Sequence, residues 1–155
     1  MIDLYTWHTP NGRKVSIMLE EIGIDYNVHS INIAKDEQFQ PHFLEVSPNN
    51  RIPAIVDKDN NNYSLFESGA ILMYLAEKSG KLINKSNSDE YFRTIECLMW
   101  QMGGVGPMFG QVHHFVKYNK GKSTYAEERY SKEARRLYGV MDKRLGHNQY
   151  ISGNE

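Results

Sequence analysis

The chain contains 155 residues, a length that suits one medium domain or two small ones, with 40% hydrophobic and 24% charged side chains. Its formal net charge of −1 argues against a nucleic-acid binder with a broad basic surface, and no apolar run approaches the roughly 18 residues of a membrane span. Its one cysteine, Cys97, excludes an internal disulfide, a paired-cysteine redox motif and a multi-cysteine zinc site, so a cytoplasmic protein is expected.

A strand, a helix and a second strand are predicted at the start of the chain. Residues 2–7 alternate as a strand, and because no basic segment precedes them we do not expect a signal peptide. Thr9 and Pro10 are typical of an N-cap and a first helical residue, and Gly23 is typical of a helix end. Apolar side chains recur between these positions at helical spacing, namely Val15, Met18, Leu19 and Ile22.

The second strand is predicted over residues 26–33. Its alternation slips between Val28 and Ile31, which favours a bulge or a twist at that point. A strand–helix–strand order implies a right-handed crossover and parallel pairing of the two strands. The polar segment that follows, residues 35–50, contains a short predicted helix near 41–46.

A hairpin and a helix are predicted next. The strand over 51–56 opens with Pro53, whose missing N–H is tolerated at a strand start and whose peptide bond is a candidate for the cis form. The three asparagines at 60–62 predict a turn into a returning strand over 63–66. The helix that follows begins at Glu67, ends at Gly80 and carries Ile71, Tyr74, Leu75 and Lys78 on adjacent turns.

The order β-α-β, irregular helix, β-β-α is the thioredoxin-like arrangement, an α/β domain with a mixed four-stranded sheet, and we assign it to residues 1–82. After a polar linker the chain is all-helical, and residues 88–155 form the second predicted domain. Its long first helix, from Asp89, either breaks at 103–107 or lets another element approach there. The predicted apolar stripe of that helix is Phe92, Ile95, Met99 and Met102. The final helix, over 125–145, has a predicted buried face of Tyr130, Ala134, Leu137, Met141 and Leu145.

Four motifs are specific enough to indicate a family. Thr9-Pro10-Asn11-Gly12, the run SPNNRIPA at 47–54, LFESGAI at 65–71 and WQMGGVGPM at 100–108 follow one another in the chain. Together they resemble a glutathione transferase, and within that superfamily the bacterial Nu class of glutathione-dependent disulfide-bond oxidoreductases. The resemblance covers essentially the whole chain.

The resemblance also includes a departure at the C-terminus. In the family the all-helical domain continues through a buried helix that begins shortly after a segment like 150–155, where this sequence stops. The chain is therefore either a fragment or a naturally short product, with a C-terminally truncated transferase domain. The helices over 89–145 are expected to lack part of their packing partner and to expose apolar surface.

The family's co-substrate, glutathione, needs a site that favours its thiolate over its thiol, whose ordinary pKa is about 8.5. A helix N-terminus does this with its unpaired N–H groups and positive dipole end. Thr9 offers a hydroxyl and Asn11 an amide at such a helix start, and we predict both as catalytic donors. The alternative is that Thr9 is only an N-cap and Asn11 only a first-turn residue.

The resemblance further implies a set of binding residues for the tripeptide. Ser68 would bind the γ-glutamyl carboxylate and Glu67 the α-amino group, with a plain capping pair as the alternative. The backbone of Ile52, before a cis proline, would pair with the cysteinyl part as an added strand. Gln38 and Arg129 match glutathione contacts of the class, with a solvated surface role as the alternative. The full predicted glutathione-binding set is Asn11, Gln38, Ile52, Pro53, Glu67, Ser68 and Arg129.

Other chemistry-bearing residues are weaker candidates. Tyr5 lies in mid-strand, before the turn at which a catalytic hydroxyl is needed. His113 and His114 are adjacent, so on a helix they point about 100° apart and cannot jointly bind a metal, and no metal is expected. Cys97 lies between apolar helical positions and is interpreted as a small core residue.

The activity that the resemblance implies is thiol–disulfide exchange on small disulfides, with bound glutathione supplying the reactive thiolate. Two alternatives stay open: conjugation of glutathione to electrophiles, and a non-catalytic glutathione-binding regulatory protein on the same fold. The resemblance also implies a two-fold homodimer, formed by the helix after Glu67 and the long helix of the partner. No nucleic-acid or membrane partner is expected.

Overall fold

A mixed four-stranded sheet organises the first half of the chain in the computed structural model, which describes residues 1–154. Its strands are β1 (Ile2–Thr6), β2 (Tyr26–Ser30), β3 (Ala54–Asp57) and β4 (Tyr63–Phe66), in the spatial order β2-β1-β3-β4. β1 pairs parallel with β2 and antiparallel with β3, and β3 pairs antiparallel with β4. The predicted thioredoxin-like arrangement is confirmed, and it lies within one compact unit, Met1–Ile83.

Helices cover both faces of this sheet. They are α1 (Pro10–Ile22), α2 (Pro41–Leu44) and α3 (Ser68–Ser79), with two short 3₁₀ turns before α2. One face packs against α1 and α3 in the larger core, which consists of Ile2, Leu4, Val15, Met18, Leu19, Ile22, Ile55, Ile71, Leu75 and Ala76. The other face packs against α2 in a smaller core, which consists of Ile31, Phe43 and Ala54.

The predicted ends of α1 and α3 are confirmed. The Thr9 side chain caps α1, and Gly23 ends the helix in the left-handed region with a φ of 72°. Gly80 ends α3 in the same way, with a φ of 68°. The predicted stripe of α1 is buried throughout, because all four of its apolar side chains face the larger core.

Two strand boundaries differ from the prediction. β2 ends at Ser30 with an unbroken register against β1, so the predicted bulge is wrong. The slip in alternation marks the end of the strand: Val28 is exposed on the edge strand, and Ile31 lies beyond it, buried in the smaller core. β3 begins at Ala54 instead of residue 51, because Pro53, in a cis peptide bond with Ile52, precedes the paired segment.

A buried carboxylate joins the end of β3 to α3. Asp57 is 0% exposed. It accepts hydrogen bonds from the Tyr74 hydroxyl at 2.5 Å, the Lys78 ammonium at 2.8 Å and the Asp59 N–H at 3.0 Å. Burial alone would raise the pKa of Asp57, but these hydrogen bonds outweigh it and hold the pKa below its ordinary value.

All the regular elements described in the second unit, Asn84–Glu155, are helices. Its helices are α4 (Ser88–Trp100), α5 (Gly106–Val112) and α6 (Thr124–Leu145), and π-helical turns at Gln101–Val105 and His113–Tyr118 continue the chain from α4 and α5. The glycine-rich run therefore does not break the helix. A Cβ at Gly104 would make an ordinary van der Waals contact, 3.8 Å from the Leu137 side chain of α6, so no close approach requires glycine at this position.

Apolar side chains in the described part of the second unit are mostly half-buried, and several are exposed. Within the described residues after Ile83, Ala134 and Leu137 are the only apolar side chains that are buried. In the predicted buried face of α6, Leu145 is wrong, since it is 49% exposed, and in the predicted stripe of α4 Phe92 and Met99 are 63% and 49% exposed. Apolar surface on these helices is thus present as predicted. No helix of residues 1–154 has the length and apolar character to cross a bilayer.

Candidate active site

The start of α1 presents a set of hydrogen-bond donors. The Thr9 hydroxyl oxygen accepts from the Gly12 N–H at 3.2 Å, and the Thr9 carbonyl accepts from the Arg13 N–H at 3.1 Å. Because the hydroxyl acts as acceptor in the cap, its own proton can still be donated to a ligand. Pro10 has no N–H, so the Asn11 N–H is the first-turn donor that the cap does not use. The N-cap role and the donor role of Thr9 are therefore compatible.

Gly12 sets how closely this helix start lies against the end of β1. A Cβ at Gly12 would fall 2.2 Å from the Thr6 hydroxyl oxygen and 2.7 Å from the Trp7 carbonyl oxygen. Both distances are far inside van der Waals contact, so only glycine allows the first turn of α1 to lie here.

The Asn11 carboxamide is held by a side chain that the motif analysis did not single out. The Lys14 ammonium donates to the Asn11 Oδ1 atom at 2.9 Å, across one turn of α1. Lys14 is half-buried, and burial lowers the pKa of its ammonium, although the negative charge of Glu67 acts in the opposite direction. The spacing of Asn11 and Lys14, three residues apart on a helix, was a local signal for this contact.

A second helix start lies at the beginning of α3. Glu67 precedes the helix with a φ of 73°, a left-handed conformation that is uncommon outside glycine. Ser68, the first helical residue, is 3% exposed. The Glu67 carboxylate accepts from the Asn49 carboxamide at 3.4 Å, a contact that sequence reasoning missed because it joins residues 18 positions apart. Asn49 thus links Glu67 to the loop before β3, and the negative charge of Glu67 acts on Lys14 of α1.

That loop presents an unpaired stretch of backbone. The buried Ser47 hydroxyl donates to the Arg51 carbonyl at 2.9 Å and fastens the turn that leads into Ile52. Pro53 is buried in its cis peptide bond, whereas Ile52 is half-buried. Among residues 1–154 no hydrogen bond is made by the N–H or C=O of Ile52, which leaves both groups for an extended ligand.

Gln38 contributes an unsatisfied acceptor. It lies in the 3₁₀ turn Glu37–Phe39, and its Nε2 atom is 3.5 Å from the Asp36 carboxylate. Its Oε1 atom is buried and has no hydrogen-bond partner within the described chain. Leaving such an acceptor unpaired costs about 1–3 kcal/mol, so a donor from a ligand would stabilise it.

Arg129 lies in the second unit, apart in sequence from the other predicted site residues. It is exposed on α6 and lines a cleft of about 1060 Å³. The cleft is lined by aromatic and apolar side chains, among them Trp100, Met108, Tyr125 and Tyr130. Charged side chains, including Lys132 and Arg136, line the rest.

Tyr5 is placed away from the helix start by its contacts. Its ring stacks on the His29 ring with centroids 4.6 Å apart, on the smaller-core face of the sheet. Burial, with the nearby negative charge of Asp3, raises the pKa of the Tyr5 hydroxyl. Both features disfavour a role for Tyr5 as a thiol-activating group.

The remaining candidates have local roles. His113 contacts a backbone carbonyl of its own helical segment, and a ring nitrogen of His114 lies 3.4 Å from Asn119. Cys97 is half-buried, not a core residue as predicted, and its Sγ atom lies 3.5 Å from the Ile151 carbonyl oxygen. Within residues 1–154 no three His, Cys, Asp or Glu side chains are grouped to hold a metal ion.

Comparison with known proteins places the fold in a family. Residues 1–77 match the family model described as glutathione S-transferase, N-terminal domain. The chain is 48% identical to the disulfide-bond oxidoreductase YfcG of Escherichia coli K12 over 157 residues, which cover 99% of this chain and 73% of that protein. It is 39% identical to YghU, another disulfide-bond oxidoreductase of that organism, over 161 residues, which cover 99% of this chain and 56% of the relative.

Solved structures similar to this chain are also glutathione transferases. A glutathione transferase family member from Pseudomonas fluorescens Pf-5, with two glutathione bound, has 51% identity and a TM-score of 0.94, with 99% of this chain and 70% of that chain covered. A glutathione transferase from Pseudomonas putida, with one glutathione disulfide bound per subunit, has 46% identity and a TM-score of 0.89, with 97% and 67% covered.

The sheet, the cis proline and the two helix starts define a thioredoxin-like protein with donors placed for an anionic ligand. The chain belongs to the glutathione S-transferase family, and the resemblance predicted from its motifs is confirmed. It spans about three quarters of the length of YfcG and just over half that of YghU.

Proposed function

We propose that this protein is a glutathione-dependent thiol–disulfide oxidoreductase in which bound glutathione supplies the reactive thiolate. The observation that carries the proposal is the donor set at the α1 start: the Thr9 hydroxyl, the Asn11 N–H and the Asn11 carboxamide. The chain's one cysteine, Cys97, belongs to α4 of the second unit. The identity to two proteins named disulfide-bond oxidoreductases supports the same reaction.

The thiolate is stabilised by charge and by hydrogen bonds together. The positive end of the 13-residue α1 helix favours an anion, and Thr9 and Asn11 add donors whose bonds strengthen as charge develops on sulfur. A lowered thiol pKa increases the nucleophilic fraction at neutral pH. We therefore assign Thr9 and Asn11 as the catalytic donors.

The rest of the tripeptide binds to the surrounding loop and helix starts. Ser68, at the first turn of α3, binds the γ-glutamyl carboxylate, and Glu67 binds the α-amino group. The unpaired N–H and C=O of Ile52 bind the cysteinyl part, next to Pro53. Gln38 supplies its buried oxygen to a glutathione N–H.

Arg129 is proposed to bind a glutathione carboxylate, because its guanidinium is an exposed cation in the α6 lining of the second-unit cleft.

The reaction proceeds in two exchanges. The bound glutathione thiolate attacks one sulfur of the substrate disulfide, forms a mixed disulfide and releases a substrate thiolate, which takes up a proton. A second glutathione thiolate then attacks the glutathione sulfur of the mixed disulfide, which releases the second substrate thiolate and oxidised glutathione. One relative is solved with two glutathione molecules bound and another with glutathione disulfide, which correspond to the two thiols that the overall reaction consumes and the disulfide that it forms.

The proposal also covers the assembly and the cellular location of the protein. We propose a homodimer through α3 and α4, because Phe92 and Met99 on α4 expose 63% and 49% of their surface and pairing would cover them. A cytoplasmic location follows from the chemistry, since reduced glutathione is maintained there. Sedimentation that shows a stable, folded monomer at high protein concentration would contradict the dimer.

Turnover assays test the function. We expect glutathione-dependent reduction of a model dialkyl disulfide that is lost in the variant Thr9→Ala with Asn11→Ala. Ser16→Ala is the matched control, because Ser16 is also a hydroxyl residue of α1 but donates to the Arg13 carbonyl at 3.1 Å. Conjugation of a model electrophile without disulfide reduction would instead indicate a glutathione-conjugating transferase. A 35% identical relative from Schizosaccharomyces pombe is named glutathione S-transferase 1. Glutathione binding without either turnover would indicate a regulatory protein.

A further inference from the structure

We infer that Lys14 is a positioning residue of the thiolate site, whose ammonium holds the oxygen of the Asn11 carboxamide so that the amide N–H faces the bound sulfur. This inference rests on the proposed function, since it requires the glutathione thiolate to lie at the α1 start. It adds a residue that none of the motifs pointed to.

The orientation of the amide follows from which groups can pair. The Lys14 ammonium carries donors and no acceptor, so only the Oδ1 atom of Asn11 can face it at 2.9 Å. The NH₂ group of Asn11 then points away from Lys14. Without this hydrogen bond, the Asn11 carboxamide can flip and place its oxygen next to the sulfur. The partial negative charge of that oxygen would then repel the thiolate.

The hydrogen bond from Lys14 matters because the Asn11 side chain is otherwise exposed. An exposed asparagine has no packing that selects one of its two amide orientations. A donor that holds the right orientation only part of the time stabilises an anion less. Lys14 provides the selection from the same helix, three residues further along, where side chains are neighbours.

Lys14 is also unlike an ordinary surface lysine. It is half-buried, and burial lowers the pKa of its ammonium, whereas the Glu67 carboxylate favours the charged form. A thiolate bound beside Asn11 adds a second negative charge near the ammonium. The ammonium and the thiolate stabilise each other, so the loss of Lys14 should raise the pKa of the bound thiol.

Arg13 offers a matched control for this effect. It is the preceding residue of α1, carries the same charge and is exposed. Replacement of either residue by methionine removes one positive charge from the first two turns of the helix. Arg13→Met therefore measures the general effect of charge, and the difference between the two variants measures what Lys14 does at the site.

The experiment is an ultraviolet titration of the thiolate of bound glutathione in the full chain. We expect Lys14→Met to raise the pKa of the bound thiol by about one pH unit, with a matching loss of disulfide turnover at neutral pH. Arg13→Met should change that pKa by less than about 0.3, as expected of an exposed charge. Lys14→Arg, which restores a cationic donor, should recover most of the shift.

A double variant separates positioning from charge. If Lys14 acts through Asn11, then Lys14→Met should add little to Asn11→Ala, because the amide that it orients is already gone. Equal effects of Lys14→Met and Arg13→Met would overturn the inference, and so would an undiminished effect of Lys14→Met in the Asn11→Ala background. Should methionine prevent folding, as judged by circular dichroism, Lys14→Gln takes its place with the same criteria.

The proposed function can fail separately. A parent protein that binds glutathione without lowering the pKa of its thiol would overturn the thiolate mechanism and this inference together. A parent that lowers the pKa while Lys14→Met and Arg13→Met behave alike would overturn the role of Lys14 alone.

Discussion

The two units of the chain bury their apolar side chains to very different degrees. Met1–Ile83 encloses a core of ten buried residues between α1, α3 and the sheet. The described residues of the second unit bury only Ala134 and Leu137 among their apolar side chains. The comparison teaches that the first unit carries within itself the packing that fixes its helix starts, which is where the proposed thiolate site lies.

The largest expected difference concerns a matched pair of leucines. Leu19 in α1 is 0% exposed and Leu145 in α6 is 49% exposed. Leu19→Ala should lower the free energy of unfolding by about 2.7–5 kcal/mol, because it leaves a cavity in a packed core. Leu145→Ala should cost less than about 0.5 kcal/mol, as surface changes do. Denaturant unfolding of both variants checks this, and equal losses would contradict the contrast between the units.

A second pair compares ionic contacts. Asp57 is 0% exposed and bonded to Lys78 at 2.8 Å, whereas the Glu133 and Arg136 side chains pair at 2.7 Å on the surface of α6. Asp57→Ala should destabilise the first unit by about 3 kcal/mol, since it leaves the Lys78 ammonium without its buried carboxylate partner. Glu133→Ala should leave stability unchanged within experimental error. Thermal and denaturant unfolding at neutral pH measure both.

Asp57 also gives the first unit a pH dependence of known sign. Its pKa in the folded protein is lowered, so its contribution to stability is present above the unfolded pKa of about 3.9 and is lost as the pH falls through the folded value. Asp57→Ala should remove this part of the acid sensitivity. An acid-unfolding curve of the variant that is as steep as that of the parent would show that another carboxylate is responsible.

The third comparison is between two hydroxyl groups of the first unit. A hydrogen bond to a charged group contributes roughly 1.5–3 kcal/mol, so Thr9→Ala should raise the pKa of the bound thiol by about one to two pH units. Asn11→Ala should behave similarly, and the two effects should not add if both groups bind one sulfur. Tyr5→Phe should leave the pKa in place. A shift with Tyr5→Phe and none with the other two would make the site assignment wrong.

The smallest expected effect concerns the cysteine of the second unit. Cys97 is half-buried near the Ile151 carbonyl, so Cys97→Ser should change the free energy of unfolding by about 1 kcal/mol or less. Because the reactive sulfur is proposed to come from glutathione, disulfide turnover should stay within a few-fold of the parent. A folded, glutathione-binding Cys97→Ser variant without turnover would make Cys97 the nucleophile.

Local signals were enough to predict most of the first unit. The ends of α1 and α3 follow from single residues with strong positional preferences, namely Thr9, Gly23 and Gly80. The end of β2 could not be predicted in this way. A slip in alternation has the same appearance whether the strand bulges or stops, and only the burial of Ile31 in a second core decides between them.

The second unit and the site contacts show where sequence reasoning fails. Periodicity identifies the apolar side of a helix but not what covers it, so Leu145 was wrongly predicted as buried. The contact between Asn49 and Glu67 depends on how two distant segments fold together. The contact between Asn11 and Lys14 is local, and the spacing of the two residues on α1 gave a usable signal for it.

The tight fit of Gly12 has a consequence for how this sequence can vary. Any other side chain would place a carbon 2.2 Å from the Thr6 hydroxyl and 2.7 Å from a backbone oxygen that cannot rotate away. At Gly103, in contrast, a Cβ would meet no atom of residues 1–154 within 4 Å, apart from its own helix and chain neighbours. In a randomised library selected for folded protein, position 12 should therefore return glycine almost alone, while position 103 should accept many residues. The residue types that position 12 accepts are set by one close contact and would be the same whatever substrate the protein reduces.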